Sequence, residues 1–281
     1  MTPPGPAASG GLHRTAHTFV VSKTFRLILD GPAPGAWNMA IDEALLASGR
    51  RGRFTVRFYG WAPGCLSLGR NEPARGRYDV GRAERLGIDI VRRPTGGRAV
   101  YHDRELTYSV TAPSDAWGGL RESYRRINRA LAAGLRELGV PAAVAPGRAS
   151  SGLRQPSPRA CFRHPMPGEV VAGGRKLVGS AQWREGGALL QHGSILLHDD
   201  QQLAERLRLN GKGREGAVAA ASLADVLGVL PPLAALCGAL ARGFASEFGV
   251  EVEPGEATAA ERERARRLEA RYRSGAWTWR R

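Results

Sequence analysis

Apolar and polar residues alternate with a period of two over many short stretches between residues 25 and 197, and this period predicts β-strands. Glycine, proline and charged residues separate the stretches and predict turns. The predicted strands span residues 25–30, 54–59, 65–68, 88–92, 99–102, 106–111, 169–172, 175–182, 188–190 and 193–197. Strands therefore dominate this part of the chain.

Apolar residues recur every three to four positions in other stretches, which predicts amphipathic helices. These helices span residues 38–47, 77–86, 123–138, 201–209, 222–227, 233–248 and about 259–272. We expect Asn38 to cap the first of them. Because strands and helices do not alternate steadily, the pattern predicts an α+β fold in which a mixed or antiparallel sheet is flanked by helices.

The chain divides into three predicted parts. Residues 1–22 are rich in proline, glycine, alanine and serine, and their lack of periodicity predicts a disordered tail. Residues 23–250 form the main domain, and residues 251–281 form a helical extension that packs on it because so short a segment cannot bury its own core. No apolar run approaches the roughly 20 residues that span a bilayer, and we expect a cytoplasmic monomer with no membrane partner.

Charge narrows the class of partner. The chain has 41 Lys and Arg against 26 Asp and Glu, a formal net charge of +15, which favours attraction to an acidic macromolecule. We find no interleaving of arginines with stacking aromatic residues and no nucleic-acid motif. An acidic carrier protein therefore fits the charge as well as nucleic acid does, and we expect no nucleic-acid partner.

The three cysteines are too far apart for a disulfide framework or a zinc site, so we expect no metal. Cys65 and Cys237 lie within a predicted strand and a predicted helix, as core cysteines do. Cys161 instead lies in a proline-rich loop with charged or chargeable neighbours, which favour the thiolate and make it a candidate nucleophile. Those neighbours are Arg159, Arg163 and His164.

Three further features suggest a binding site. Residues 92–103 (RRPTGGRAVYHD) contain adjacent glycines that let the backbone approach a ligand, although an ordinary hairpin turn explains them equally well. Lys176 is one of only three lysines in an arginine-rich chain, which favours a role that needs a compact ammonium group. His192, placed at the start of a predicted strand, is expected only to line a substrate site.

Taken in order, these segments resemble the biotin/lipoate protein ligase and transferase superfamily. The resemblance rests on NMAIDEAL, VRFYGWAPGCLSLGR, RRPTGGRAVYHD, GRKLVGSAQ and LQHGSILL between residues 38 and 197, with a weaker echo in the C-terminal YRSGAWTWRR. The PTGGR turn and the Cys161-Phe162 pair upstream of GRK are most similar to the M-type octanoyltransferases of lipoate assembly. The resemblance makes residues 23–250 a catalytic domain of the ligase type.

The resemblance implies an acyltransferase with Cys161 and Lys176 as its catalytic residues. Cys161 would take octanoyl from octanoyl-acyl carrier protein as a thioester, and Lys176 would lower the pKa of the thiol and hold the acyl carbonyl. A lysine of a lipoyl domain, on glycine cleavage H protein or a 2-oxoacid dehydrogenase E2, would then attack, with no ATP, metal or other cofactor. The implied substrate-binding residues are Arg93, Thr95, Gly96, Gly97, Arg98, His102, Gly179, Ser180, Ala181, His192 and Gly193.

Other activities remain open. An ATP-dependent lipoate ligase shares the fold and the lysine, but its turn usually has a third glycine where this chain has Arg98. An amidotransferase that moves octanoyl between lipoyl proteins also uses a cysteine. The B-type octanoyltransferases place their cysteine near the QHGS segment, which has none here. A non-enzymatic, acyl-sensing binding module is the remaining alternative.

Overall fold

A computed structural model describes residues 24–146, 165–209 and 220–281, which build an α+β fold. Cys161 and the predicted tail, residues 1–22, lie outside the described residues. In chain order the elements are β1 (Thr24–Ala33), α1 (Gly35–Gly49), β2 (Thr55–Trp61), β3 (Cys65–Leu68), α2 (Val80–Arg85), β4 (Asp89–Arg92), β5 (Val100–His102), β6 (Glu105–Pro113), α3 (Leu120–Glu137), β7 (Ala142–Val144), β8 (Val170–Ala172), β9 (Arg175–Glu185), β10 (Ala188–Leu196), α4 (Gln202–Arg206), α5 (Leu223–Leu227), α6 (Leu233–Phe248), β11 (Glu251–Pro254), α7 (Ala259–Arg273) and α8 (Gly275–Thr278).

Two sheets organise these elements. The large sheet has eight strands in the order β11-β1-β2-β6-β10-β9-β8-β7, and the small sheet has three in the order β4-β3-β5. In the large sheet β1 is parallel to β2 and β11. Every other neighbouring pair, along the order β2-β6-β10-β9-β8-β7, is antiparallel. The prediction of a mixed sheet flanked by helices is therefore confirmed.

Each face of the large sheet has its own core. One face packs against α3 and α6 around buried side chains such as Phe58, Leu131 and Phe244. The two helices approach closely because glycines lie at their crossing: a Cβ at Gly134 would lie 2.5 Å from the Ala239 carbonyl oxygen. The other face packs against α1, which α7 covers, and against the small sheet.

Several elements differ from the sequence prediction. Asn38 does not cap α1; Pro34 occupies that position, and the buried Asn38 amide donates to the Ala33 and Gly60 carbonyls at 3.1 and 2.9 Å. The two strands predicted at 188–190 and 193–197 form one strand, β10, so His192 lies in its middle. The short elements β7, β11 and α8 were not predicted.

The predicted C-terminal extension starts with β11, which extends the large sheet beside β1. Helix α7 begins with a capping box, in which Thr258 and Glu261 each accept from the backbone of the other. Glu261 also forms a 2.8 Å ion pair with Arg26 of β1. No helix in the described part of the chain is long and apolar enough to cross a membrane.

Candidate active site

A cavity lies between the two sheets and beside α1. Its volume is about 470 Å³ when the open mouth is included. The lining residues are Met39, Tyr59, Trp61, Ser67, Arg93, Gly97, Val100, His102, Thr107, Gly179, Ser180, Ala181, His192, Gly193 and Ser194. Many of these residues are polar, yet the surface that they expose to the cavity is largely apolar.

Strand register explains why these residues meet. Ala181 is opposite His192 and Gly179 is opposite Ser194, and Ser194 in turn is opposite Thr107 of β6. Paired residues point to the same face of a sheet, so β9, β10, β6 and β2 present a continuous wall. At about 4.8 Å per strand the wall runs roughly 14 Å from β9 to Trp61 on β2, which is comparable to an extended medium-chain acyl group.

The glycine turn after β4 closes the cavity from the small-sheet side. Arg93 holds this turn from within, because its guanidinium donates to the carbonyls of Gly96 and Arg98 at 2.8 and 2.7 Å. Gly97 has a φ of +96°, which favours glycine. Gly69 must also be glycine, since a Cβ there would lie 1.9 Å from the Gly97 carbonyl oxygen.

His192 is fixed between a carboxylate and a hydroxyl. Its Nδ1 lies 3.0 Å from Asp42 Oδ2 and its Nε2 lies 2.7 Å from Thr95 Oγ1. Burial lowers the pKa of His192, although Asp42 opposes the shift. Burial alone would raise the pKa of Asp42, but the His192 hydrogen bond and the Arg57 charge lower it. The pair is therefore a neutral imidazole that donates from Nδ1 to a charged carboxylate.

Asp42 is the centre of a buried network on α1. Arg57 Nη1 donates to its Oδ1 at 2.9 Å, and Ser109 Oγ donates to the same oxygen at 2.8 Å. Tyr59 Oη donates to Oδ2 at 3.0 Å. Asn38 accepts from Arg57 Nη2 at 2.9 Å, so the motif NMAIDEAL places two polar side chains that hold Arg57 in the interior. A buried charge with this many partners is stabilised rather than isolated.

His102 has the same arrangement on the facing wall. Its Nδ1 lies 2.9 Å from Glu105 Oε1 and its Nε2 lies 2.6 Å from Ser67 Oγ. Arg93 also donates to that serine oxygen at 3.0 Å. The ring also stacks on Trp61, with centroids 4.2 Å apart. The two cavity histidines are thus each held by a carboxylate on one nitrogen and a hydroxyl on the other.

These hydrogen bonds leave little polarity for the cavity itself. The His192 imidazole bonds to Thr95 and Asp42, and the His102 imidazole bonds to Ser67 and Glu105. The Trp61 indole N–H donates to Thr107 Oγ1 at 2.7 Å and is likewise occupied. Glu105 Oε2 is buried without a hydrogen-bond partner among the described residues, but Glu105 lies behind the lining. A lining whose imidazoles, hydroxyls and indole N–H are already paired suits an apolar chain, because binding that chain breaks none of these hydrogen bonds.

Lys176 lies beside the cavity on β9, outside its lining. A bulge in the β8–β9 pairing, where Val171 is opposite Lys176 but Val170 is opposite Val178, adds one residue to β9. The extra residue turns Lys176 towards the same face as Gly179, which regular alternation would not do. Lys176 Nζ lies 2.7 Å from Glu169 Oε1, and both side chains are more than nine-tenths buried.

Glu169 is fixed at its other oxygen as well. Met166 N–H donates to Glu169 Oε2 at 2.8 Å, just after the described chain resumes. Burial raises the pKa of Glu169, and Lys176 counteracts part of that rise. Glu169 therefore connects Lys176 to the start of the described segment that begins at residue 165.

The structure brings most of the predicted site residues together. The predicted residues that line the cavity are Arg93, Gly97, His102, Gly179, Ser180, Ala181, His192 and Gly193. Thr95, Gly96 and Arg98 support it through His192 and Arg93. The Ser180 hydroxyl accepts from Tyr108 of β6 at 2.7 Å and donates to Asn128 of α3 at 3.2 Å. Cys161 cannot be placed, since it lies outside the described residues.

Sequence reasoning missed the acidic residues behind the site. Asp42, Glu105 and Glu169 are all buried and each contacts a predicted site residue. A signal was available for Asp42, because a carboxylate on the apolar side of a helix needs a buried partner. No such signal marked Glu169. Cys65 and Cys237 are buried, as predicted.

Comparison with known proteins agrees with this geometry. The family described as lipoyl protein ligase A/B catalytic domain matches residues 34–245. The Octanoyltransferase LipM of Kyrpidia tusciae is 44% identical over 278 residues, covering 92% of this chain and 99% of that protein. The Octanoyltransferase LipM of Moorella thermoacetica is 42% identical over 272 residues, with coverages of 92% and 99%.

Solved structures share the fold. A crystal structure of lipoate-protein ligase A bound with ATP has a TM-score of 0.74 and 28% identity, covering 91% of this chain and 98% of that one. A bipartite lipoate protein ligase from Thermoplasma acidophilum has a TM-score of 0.72 and 25% identity, with coverages of 91% and 96%. The chain therefore belongs to the lipoyl protein ligase A/B catalytic domain family and, within it, to the LipM octanoyltransferases.

Proposed function

We propose that this octanoyltransferase of lipoate biosynthesis works through a thioester on Cys161. Octanoyl-acyl carrier protein is the donor, and a lysine of a lipoyl domain, on glycine cleavage H protein or a 2-oxoacid dehydrogenase E2, is the acceptor. The reaction needs no ATP and no metal. The proposal rests on a largely apolar cavity, whose lining histidines are already hydrogen-bonded, beside the buried Lys176–Glu169 pair.

The first half of the reaction moves the acyl group to the enzyme. Cys161 releases its proton, its thiolate attacks the donor carbonyl, and the bond between that carbonyl and the carrier sulfur breaks. The carrier sulfur takes up the proton that Cys161 released and leaves as a thiol. Thioester exchange needs no activation, because the donor and the product have the same kind of bond. The octanoyl chain lies along the wall from β9 towards Trp61.

The second half releases the acyl group to the acceptor. The neutral amine of the lipoyl-domain lysine attacks the enzyme thioester, an amide bond forms, and Cys161 leaves as thiolate. The proton lost by the amine returns to that sulfur, so the enzyme is regenerated with no other reactant. An octanoyl amide on the acceptor is the product.

Lys176 supports both halves through its charge. Its ammonium group stabilises the thiolate before attack and the oxyanion that forms during it. Glu169 holds Lys176 at 2.7 Å and is itself held by the Met166 N–H, so the lysine is positioned rather than mobile. A flexible lysine would lose side-chain freedom on each turnover, and this arrangement removes that cost.

The cavity walls explain the choice of an apolar group. Burial keeps the His192 imidazole neutral despite the neighbouring Asp42 carboxylate, and Glu105 fixes His102 in the equivalent orientation. A ligand with a charged or strongly polar tail would find no free partner on these walls among the described residues. An octanoyl chain that enters the cavity transfers its methylenes out of water, and each buried methylene stabilises the complex by about 0.8 kcal/mol.

The test is a transfer assay with octanoyl-acyl carrier protein and a lipoyl domain, with and without ATP. We expect ATP-independent octanoylation by the wild type, none by Cys161→Ser, and normal transfer by Cys237→Ser. Acylation of the lipoyl domain only with ATP and free lipoate would instead support the ligase alternative. Transfer from an octanoylated H protein but not from the carrier protein would support the amidotransferase.

A further inference from the structure

The C-terminal motif YRSGAWTWRR takes no part in the cavity, yet it is tied to the strand that leads into the glycine turn. The Trp277 indole N–H donates to the Arg92 carbonyl at 2.8 Å. In return Arg92 Nε donates to the Thr278 carbonyl at 2.8 Å. The last residues of the motif are therefore fixed against β4.

Guanidinium groups gather where this motif meets the loop after β3. Arg280 Nη2 and Arg92 Nη1 lie 2.7 and 3.4 Å from one oxygen, the carbonyl of Arg70. The Arg280 guanidinium stacks on Trp277 at 3.9 Å, and the Arg70 guanidinium lies 5.1 Å from the centre of the Trp183 ring. We call Arg70, Arg92, Arg280 and Arg281 the arginine cluster.

The four arginines of the cluster outnumber the one acid, Glu72, whose charge acts on Arg92 among the described residues. None of its four members forms an ion pair with a carboxylate in the described part of the chain. Glu72 opposes part of the fall in the pKa of Arg92, but its carboxylate oxygens accept from the Tyr78 hydroxyl at 2.8 Å and from the Gly69 N–H at 3.2 Å. Other arginines differ: Arg266, Arg267 and Arg273 on α7 each pair with a glutamate one turn away.

Two donors in the cluster are buried without a hydrogen-bond partner among the described residues, namely Arg92 Nη2 and Arg280 Nε. Arg92 is completely buried. Burial lowers the pKa of Arg280, and the charges of Arg70 and Arg281 lower it further. Burial and then Arg280 act in the same direction on the pKa of Arg92. Buried, mutually repelling cations with unused donors are stabilised by an anion.

The cluster lies at the rim of the cavity. The Arg70 N–H donates to the Thr95 carbonyl at 2.7 Å, so the backbone of Arg70 contacts the glycine turn directly. Trp183, beneath the Arg70 guanidinium, is two residues beyond Ala181 and on the same face of β9. From Lys176 to Trp183 the strand spans roughly 20 Å, which is comparable to an extended pantetheine arm.

We propose that the arginine cluster binds the phosphate of the carrier arm that delivers the acyl group. The inference rests on the proposed function, since it assumes a donor whose acyl thioester is joined to a phosphate through pantetheine. Planar guanidinium forks match the oxygens of a phosphate group. The phosphate would lie on the cluster while the thioester reaches the cavity, so donor recognition is separate from acyl recognition.

The experiment compares 4′-phosphopantetheine with pantetheine, neither carrying an acyl group, in a calorimetric binding titration of the full chain. We expect the wild type to bind the phosphorylated arm at least about tenfold more tightly, the size of one charge-assisted hydrogen bond. Arg280→Gln should bring the ratio of the two Kd values close to one. Arg70→Gln is a second variant, and Arg266→Gln is the matched control that should keep the wild-type ratio.

Equal affinities in the wild type, or an unchanged ratio in both cluster variants, would overturn the proposal. A second readout is the ratio of kcat/KM for octanoyl-4′-phosphopantetheine and octanoyl-pantetheine, which should change in parallel. If Arg280→Gln slows transfer from the intact carrier protein while the wild type binds both arms equally, the cluster recognises carboxylates of the carrier surface and not its phosphate. Because binding needs no acyl chemistry, failure of the thioester mechanism would leave the titration interpretable.

Discussion

The cavity and the arginine cluster lie on either side of the same glycine turn and treat charge in opposite ways. In the cavity every histidine has a carboxylate on one nitrogen and a hydroxyl on the other. In the cluster no described carboxylate pairs with any of four arginines, and two buried N–H groups have no acceptor.

The difference teaches how one enzyme can recognise two parts of one donor. A wall with satisfied polar groups binds an apolar chain without competing for its hydrogen bonds. A site with unpaired N–H donors and excess positive charge is stabilised when an anion binds to it. The comparison predicts that removing a polar group should be costly in the cavity and cheap in the cluster.

The largest effect is expected at Asp42. Asp42→Asn removes the only fully buried carboxylate that pairs with Arg57 among the described residues and leaves it the partly exposed Asp30 at 2.6 Å. Breaking a buried ion pair lowers the free energy of unfolding by about 3–5 kcal/mol. Chemical denaturation measures the loss, with the exposed Asp115→Asn as control. Arg280→Gln should cost about 1 kcal/mol or less, the size of one cation–π contact. Equal losses at Asp42 and Arg280 would remove the contrast between the two regions.

The next effect concerns Lys176. Lys176→Arg keeps the positive charge, but the planar fork cannot occupy the place of a compact ammonium 2.7 Å from Glu169. We expect octanoyl transfer to fall about 100-fold, as for loss of one oxyanion-stabilising donor. Arg175→Lys, the reverse change at the neighbouring position, should stay within about twofold of wild type. Near-normal transfer by Lys176→Arg would show that its compact geometry does not matter.

Glu169 should act through Lys176. Glu169→Gln keeps the size of the side chain but removes the charge that orients the lysine, and kcat should fall about tenfold or more while KM for the carrier protein changes little. The exposed Glu137→Gln is the control. Because the pKa of Glu169 is raised, the wild-type pH profile of kcat should also contain an acid-side step that the variant lacks. A fall in stability with unchanged kcat would assign Glu169 a purely structural role.

Trp61 should limit acyl length. Trp61→Phe opens space at the β2 end of the wall, and each additional buried methylene is worth about 0.8 kcal/mol. The ratio of kcat/KM for decanoyl and octanoyl donors should therefore rise by up to about tenfold. Trp117→Phe makes the same change on the other face of the sheet and should leave the ratio unaltered. An unchanged ratio in Trp61→Phe would mean that another residue ends the cavity.

The smallest effect is a pH dependence of stability. The pKa of His192 is lowered in the native state, so below about pH 6.5 the unfolded chain takes up a proton that the native chain does not. The free energy of unfolding should therefore decrease on acidification, by at most about 1.4 kcal/mol per pH unit from this residue. His192→Gln, which can still donate to Asp42, should have a shallower slope between pH 6.5 and 5.5. Identical slopes would contradict a neutral, buried His192.

The pattern of the sequence predicted most elements but not the partners that make the site. Periodicity located α3 and α6 closely, because long amphipathic helices repeat their apolar face several times. It missed β11, whose four residues alternate too briefly to be recognised, and it divided β10 at residues 191–192, just before Gly193. Glycine there allows close contact, since a Cβ would lie 2.2 Å from the Gly179 carbonyl oxygen, rather than ending the strand.

The site was predicted where motifs are local and missed where partners come from distant parts of the chain. The glycine turn and the β9–β10 segments line the cavity together, as the order of motifs suggested. Asn38 was assigned to a helix cap because local rules favour it there, whereas in the fold it holds Arg57, 19 residues away. Which carboxylate faces which histidine depends on strand register and helix packing, and neither is visible in a single motif.

The thioester on Cys161 is tested most directly by intact-protein mass spectrometry after mixing the enzyme with octanoyl-acyl carrier protein in the absence of ATP. The account predicts one octanoyl adduct that hydroxylamine removes, that maps to Cys161, and that is lost in Cys161→Ser but kept in Cys65→Ser. An enzyme that transfers octanoyl to a lipoyl domain without ever carrying this adduct would contradict the thioester mechanism.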